Sequence, residues 1–157
     1  MFRRLTQGTL GTVELRTPPL ASAPQQARDL ALAATVAWNL CRADEFILVV
    51  GELVTNAVQW ARTSIAVRII VQGCSLRVEV ADGDRHRPRL VMPQDMDERH
   101  YGLMVVAALA DRWGSEKRRR GKVVWAEFDL RAAAAVSPPA PGASALQGEG
   151  RVTSGAS

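Results

Sequence analysis

The fold is decided by residues 44–82, which read DEFILVVGELVTNAVQWARTSIAVRIIVQGCSLRVEVAD. Apolar residues in the first part of this stretch recur about every 3.6 residues, which is typical of a helix with one buried face. From Ile65 onward they alternate, which is typical of strands with one buried face. A helix followed by two strands and a turn indicates a sheet that helices cover on one side.

Two predicted helices precede the strands. The second begins near Asp44, whose carboxylate suits the N-cap position, and the first begins after Ser22 for a similar reason. Each helix has an apolar stripe that should face the sheet. The stripe of the first comprises Ala27, Leu30, Ala31, Ala34, Trp38 and Cys41, and that of the second comprises Phe46, Val49, Val50, Leu53, Ala57 and Trp60.

The flanking segments extend this pattern. Residues 12–16 predict a short first strand, and residues 83–101 are a long irregular stretch that contains prolines. A third helix is expected from Gly102, with an inward face of Leu103, Val106, Ala107, Ala110 and Trp113. Two strands joined by a basic loop over residues 117–122 follow, and the last has an inward face of Val124, Ala126, Phe128 and Leu130. This order predicts an α+β fold, a single two-layer sandwich whose mixed, mostly antiparallel sheet has helices on one face.

The chain has 157 residues, enough for one domain with a hydrophobic core. We predict a flexible N-terminus over residues 1–11, the folded domain over residues 12–130 and a disordered tail over residues 131–157. The tail is rich in Ala, Ser, Pro and Gly, so it has too little apolar surface to offset the entropy cost of ordering it.

Composition narrows the expected location and partners. No stretch approaches the ~18 consecutive apolar residues of a membrane span, and the first residues are too weakly apolar for a signal peptide. We therefore predict a cytoplasmic protein that binds no membrane. The net charge is +4, but the basic clusters at residues 85–89 and 117–120 lack interleaved aromatic residues. This pattern argues against direct binding to nucleic acid.

Three polar residues lie inside or beside the predicted apolar faces. Asp82 falls in phase with the inward residues of its strand, where an unpaired carboxylate is costly. The alternative is that the strand has already ended and that Asp82 caps a turn with Gly83. Glu52 and Asn56 lie one helical turn apart on the shoulder of a buried face, and the alternative for them is a solvated helix edge.

The irregular stretch 83–101 leads into Gly102, where the third helix begins. Structureless loops longer than about 12–15 residues are uncommon in compact domains and often act as lids. A helix N-terminus offers free N–H groups and the positive end of the helix dipole, which suit a phosphate group. A single glycine at a helix start does not by itself predict an anion site. The prediction depends on its combination with the other features.

These segments, in this order, resemble the GHKL, or Bergerat, ATP-binding domains, and more narrowly the bacterial anti-sigma-factor serine/threonine kinases. Residues 52–58, ELVTNAV, are similar to the N box of that family, and residues 78–82, VEVAD, to the strand before its first G box. Residues 102–114 are similar to the second G box and its helix, and residues 121–128, GKVVWAEF, to the closing hairpin. The resemblance covers roughly residues 12–130.

The resemblance implies a role for each matching residue. Asn56 would hold the Mg²⁺ that bridges the phosphates of ATP, and Asp82 would accept a hydrogen bond from the adenine amino group. Glu52 would be the general base that takes the proton from a serine or threonine hydroxyl. Residues 83–101 would form the ATP lid. The other cofactor-binding residues that the resemblance implies are Gly83, Gly102 and Leu103.

Three positions depart from the family pattern. Asp84 and His100 occupy positions where glycines are expected, and Trp60 replaces a polar residue shortly after the N box. A side chain and a negative charge at Asp84 would hinder the approach of a nucleotide to the backbone. The departures therefore predict weaker or differently arranged nucleotide binding.

The first functional hypothesis is a kinase that binds ATP and Mg²⁺, sequesters a sigma factor and phosphorylates an antagonist (anti-anti-sigma) protein. Related kinases commonly form dimers, so a homodimer is among the expected assemblies. The alternative is a degenerate GHKL domain that binds protein partners without nucleotide. A histidine-kinase catalytic domain or another GHKL ATPase is a third hypothesis. It would call for dimerisation helices with a phosphoacceptor histidine or a transducer domain, which are not expected in this sequence.

Overall fold

The computed structural model describes residues 10–86 and 101–131. Its elements are β1 (Leu10–Thr17), α1 (Ala23–Ala37), α2 (Ala43–Trp60), β2 (Ile65–Gln72), β3 (Ser75–Asp82), α3 (Tyr101–Leu109), β4 (Arg112–Arg118) and β5 (Gly121–Asp129). The predicted order of elements is confirmed, although β1 starts ahead of residue 12. The predicted flexible N-terminus and disordered tail lie outside the described residues except at their edges, as does most of the predicted lid.

In residues 10–86 and 101–131, one five-stranded sheet forms the first layer, with the strand order β1-β2-β3-β5-β4. All of its pairings are antiparallel, as expected for a mostly antiparallel sheet. The register places Val78 opposite Ile69 on one side and opposite Ala126 on the other. Because residues opposite one another point to the same face of a sheet, these three side chains form a continuous apolar row.

The described helices form the second layer, on one face of the sheet. α2 lies between α1 and α3 and packs against both. Phe46, Val49 and Leu53 of α2 are at most 1% exposed and belong to the same core as the inward residues of the strands. Phe46 meets Phe128 edge to face, with ring centroids 5.4 Å apart. The predicted two-layer α+β sandwich is confirmed, and none of the described helices has the length and apolar character needed to cross a bilayer.

The other face of the sheet carries charged side chains. The Arg77 guanidinium lies over the ring of Trp125, 4.2 Å from a ring centroid. It also pairs with Glu79 at 2.9 Å and with Glu127 at 3.4 Å. Apolar and charged residues thus alternate along the central strands, which leaves one face of the sheet buried and the other facing solvent.

The start of α2 differs from the prediction. Asp44 lies in the first turn, and the N-cap position belongs to Arg42, whose backbone is left-handed with a φ of 62°. Arg42 donates hydrogen bonds to Asp111 Oδ2 at 2.6 Å and to the carbonyl of Leu109 at 2.9 Å. Its guanidinium also lies 4.9 Å from the centroid of the Phe128 ring. These contacts with distant parts of the chain outweigh the local preference of Asp44 for the N-cap.

Four residues predicted to face the core from a helix do not do so. Trp60 ends α2 and is 47% exposed, and Cys41 is exposed in the connection before that helix. Ala107 lies within α3 but is exposed.

Trp113 belongs to β4, because α3 already ends at Leu109. The backbone N–H of Asp111 then donates to β5 at 3.0 Å, which starts the strand pairing. The apolar run assigned to the third helix therefore spans a helix and a strand.

Gly121 begins β5 with a φ of 106°, and a Cβ there would lie 1.8 Å from the backbone oxygen of Asp82. Gly73 also has a positive φ, 59°, but a Cβ there would meet no atom within 4 Å. We expect Gly121→Ala to lower the free energy of unfolding by at least about 3 kcal/mol, since β3 and β5 must separate. Gly73→Ala should cost only about 1 kcal/mol, for the left-handed backbone alone. Urea denaturation measures both losses, and equal losses would contradict the prediction.

Candidate functional site

Asp82 is the last residue of β3, and its side chain is 1% exposed. It shares the buried face of the strand, in the direction that the alternation of apolar residues indicates. The turn interpretation also holds, because the backbone N–H of Asp84 donates to Asp82 Oδ1 at 2.9 Å. Asp82 therefore ends the strand and faces the interior at the same time.

The cation that pairs with Asp82 is Lys122, which lies opposite it on β5. Lys122 Nζ is 3.0 Å from Asp82 Oδ1 and 3.1 Å from Asp84 Oδ2, and the lysine side chain is 3% exposed. A buried charge is tolerated when an opposite charge and hydrogen bonds compensate it. Sequence reasoning missed this residue, since it assigned Lys122 to a basic loop rather than to the interior.

The second carboxylate oxygen of Asp82, Oδ2, is buried and accepts no hydrogen bond from any described residue. A buried acceptor without a donor costs roughly 1–3 kcal/mol, so such atoms are rare in folded proteins. A ligand that presents an N–H or O–H group to Oδ2 would remove this cost.

Asp84 belongs to the same cluster. It accepts a hydrogen bond from the backbone N–H of His86 at 3.1 Å, and its Oδ1 lies 2.7 Å from His86 Nδ1. Partial burial would raise the pKa of Asp84, but the hydrogen bonds from His86 and Lys122 and the charge of Lys122 lower that pKa to about 2. Because Lys122 compensates its charge, Asp84 is less of an obstacle to an anionic ligand than the sequence suggests.

Gly83 lies between the two aspartates and contacts Thr63, which follows α2. The N–H of Gly83 donates to Thr63 Oγ1 at 2.7 Å, and a Cβ on Gly83 would lie 3.0 Å from Thr63 Cγ2. A side chain at position 83 would therefore crowd the connection between α2 and β2. Thr63 was not predicted, and its polar side chain just after the helix is the only sequence signal that points to it.

Glu52 and Asn56 are half-buried on α2. Glu52 reaches the start of α3, because its Oε2 lies 2.8 Å from the point that a Cβ on Gly102 would occupy. A larger residue at position 102 would displace this carboxylate, so Gly102 permits the close approach of α2 and α3. Leu103 is 5% exposed and anchors the first turn of α3 in the core.

The predicted site residues thus form two groups on neighbouring elements. Asp82 and Gly83 lie at the end of β3, and Glu52 lies with Gly102 where α2 meets α3. α2 packs against both β3 and α3, but no hydrogen bond or ion pair between described residues joins the groups. Within residues 10–86 and 101–131, no cluster of three or more His, Cys, Asp or Glu side chains suits a metal. The role of Asn56 as a metal ligand therefore stays a prediction.

Comparisons with known proteins are consistent with this geometry. The family model described as a histidine kinase-like ATPase domain matches residues 18–128. The fold is similar to the crystal structure of the RsbU and RsbW domains of Rv1364c from Mycobacterium tuberculosis, with a TM-score of 0.59, 16% identity and 76% of this chain covered. The match covers 32% of that solved chain, and at this identity it shows the fold alone. No curated protein sequence gives a significant match.

The low pKa of Asp84 predicts a pH dependence of stability. A carboxyl group with a lower pKa in the folded state stabilises the fold above its ordinary value of 3.8, and this contribution is lost as the pH falls to about 2. We expect Asp84→Asn to be less stable than the parent near neutral pH and the difference to shrink as the pH falls through this range. Denaturant titrations at several pH values test this, with the exposed Asp29→Asn as control. A difference that does not change with pH would contradict it.

Proposed function

Since the chain belongs to the histidine kinase-like ATPase family, we propose that it binds ATP with Mg²⁺ and acts as an anti-sigma-factor serine/threonine kinase. It would sequester a sigma factor and phosphorylate an antagonist protein, both in the cytoplasm. The observation that carries this proposal is the Oδ2 atom of Asp82, a buried acceptor without a partner among the described residues.

Adenine binding is assigned to the C-terminal end of β3. The exocyclic amino group of adenine supplies the N–H that Asp82 Oδ2 lacks, so the residues present fit this base. The ion pair with Lys122 keeps a charged acceptor stable in this buried position.

The phosphate end is assigned to α2 and α3. Asn56 would provide an oxygen ligand for Mg²⁺, whose charge would neutralise the phosphates when the nucleotide is bound. The backbone amides of Gly102 and Leu103 lie in the first turn of α3, where free N–H groups and the helix dipole favour an anion. Oxygen ligands and helix amides are the groups that a magnesium nucleotide requires.

Glu52 is assigned as the general base. Its carboxylate lies beside the start of α3, the element proposed to hold the phosphates, so a substrate hydroxyl bound there could pass its proton to Glu52. The serine or threonine oxygen then bonds to the γ-phosphorus while the bond from that phosphorus to the departing ADP oxygen breaks. Positioning and charge neutralisation supply most of the rate enhancement in such reactions.

A protein-binding domain that works without nucleotide is the second candidate. Asp84 and His100, which occupy the positions of expected glycines, favour it. The ion pair between Lys122 and Asp84 weakens the argument from Asp84, and His100 lies outside the described residues. The proposed protein partners are the same in both cases, with a homodimer as the proposed assembly.

Calorimetric titration with ATP and Mg²⁺ tests the proposed site. We expect the parent protein to bind, and Asn56→Ala and Asp82→Asn each to weaken binding at least about tenfold, since each removes a contact with a charged or polar ligand group. Gln59→Ala, which removes an exposed amide from the same helix, is the matched control. Unchanged binding in both site variants would falsify the assignment of these residues to the nucleotide site. A stable complex with a sigma factor but no ATP binding by the parent would establish the second candidate.

Transfer of the γ-phosphate tests the role of Glu52. We expect Glu52→Gln to retain ATP binding but to phosphorylate the antagonist protein about 10²- to 10⁴-fold more slowly, the usual contribution of a general base. Labelled phosphate on the antagonist measures the rate, and Glu14→Gln, at an exposed position on β1, is the control. Transfer at the parent rate would remove Glu52 from this role.

A further inference from the structure

Lys122 is buried although it lies beside an exposed basic turn. Its side chain is 3% exposed, and Nζ contacts both Asp82 Oδ1 and Asp84 Oδ2. Lys117, which lies opposite it on β4, is exposed. Burial of an ammonium group is costly unless it is paired, so the interior position of Lys122 is set by the two carboxylates rather than by the turn.

These contacts make the two oxygens of Asp82 unequal. Oδ1 accepts from Lys122 Nζ at 3.0 Å and from the backbone N–H of Asp84 at 2.9 Å. Oδ2 is buried and has no partner in the described part of the chain. The carboxylate cannot rotate without breaking charge-assisted contacts on Oδ1, so Oδ2 keeps a defined direction.

Asp84 accepts one of the hydrogen bonds that Lys122 can donate. The ammonium group has three donors, and one of them is directed at Asp84 Oδ2 at 3.1 Å. Without that carboxylate, Lys122 would be drawn towards both oxygens of Asp82 and would occupy Oδ2 itself. The aspartate at a position where the resemblance predicts glycine therefore keeps the acceptor open.

We propose that Lys122 and Asp84 are positioning residues that make the site specific for a 6-aminopurine nucleotide. They hold Asp82 so that Oδ2 is only an acceptor, which pairs with the amino group of adenine. A purine with a hydrogen atom at the same position leaves this acceptor unpaired. A purine with a carbonyl oxygen there places a second acceptor against it. The inference rests on the proposed binding of ATP at Asp82 and adds the residues that determine the choice of base.

The experiment compares ATP with purine riboside triphosphate, in which hydrogen replaces the amino group, by calorimetric titration in the presence of Mg²⁺. We expect the parent protein to prefer ATP by roughly ten- to a hundredfold, the range for a hydrogen bond to a charged group. Lys122→Met should reduce the preference to less than about threefold, since only the amino group depends on Oδ2. Any loss of affinity from the uncompensated charge of Asp84 should be the same for both nucleotides, so it does not enter the preference. Asp84→Asn should reduce it several-fold, because a neutral amide no longer competes well for the ammonium.

Lys117→Met, the same substitution at the exposed neighbour on β4, is the matched control and should keep the full preference. An unchanged preference in Lys122→Met, with or without an equal loss of affinity for both nucleotides, would assign the cluster a purely structural role and overturn the inference. If Lys122→Met does not fold, the Asp84→Asn variant serves as the test, and an unchanged preference for ATP in that variant would overturn the inference. A parent protein that binds both nucleotides equally would instead overturn the role of Asp82, and one that binds neither would overturn the proposed function.

Discussion

The ion pair between Asp82 and Lys122 is the interaction on which the arrangement of this site depends. Both residues are at most 5% exposed, and they face each other at the end of the β3–β5 pairing. Loss of one partner from a buried ion pair commonly costs about 3–5 kcal/mol, because the remaining charge stays buried alone. The pairing also requires the two strands to approach closely, and the backbone of Gly121 allows that approach.

The packing of the core determines where the other polar groups lie. α2 buries Phe46 and Leu53 against the sheet, so the residues at the edge of its apolar stripe, Glu52 and Asn56, come to lie at the boundary of the core. The contact of Glu52 with Gly102 then aligns the start of α3 with α2. The geometry of the proposed nucleotide site is therefore a consequence of apolar packing between the helix layer and the sheet.

Local periodicity was sufficient to predict the layers of the fold. It indicated an inward direction for Asp82 but left a turn at the end of the strand as the alternative, and the structure combines the two. Local periodicity does not predict contacts between residues that are far apart in sequence. Lys122 meets Asp82 across strands that lie 40 residues apart in sequence, and nothing in the basic loop distinguishes it from its neighbours. Arg42 occupies the N-cap position that was predicted for Asp44, and two of its partners, Leu109 and Asp111, are 67 and 69 residues away in sequence. Trp113 was predicted on the third helix but lies in β4, because a short apolar run can belong to either a helix or a strand.

Among the strands that the structure describes, β1 and β4 lie at the two edges of the sheet. An edge strand exposes backbone N–H and C=O groups that can pair with the edge of another molecule, and charged side chains oppose this association. Four of the seven residues of β4 are charged, compared with two of the eight residues of β1. Intermolecular growth of the sheet, including aggregation during folding at high concentration, is therefore expected to begin at β1.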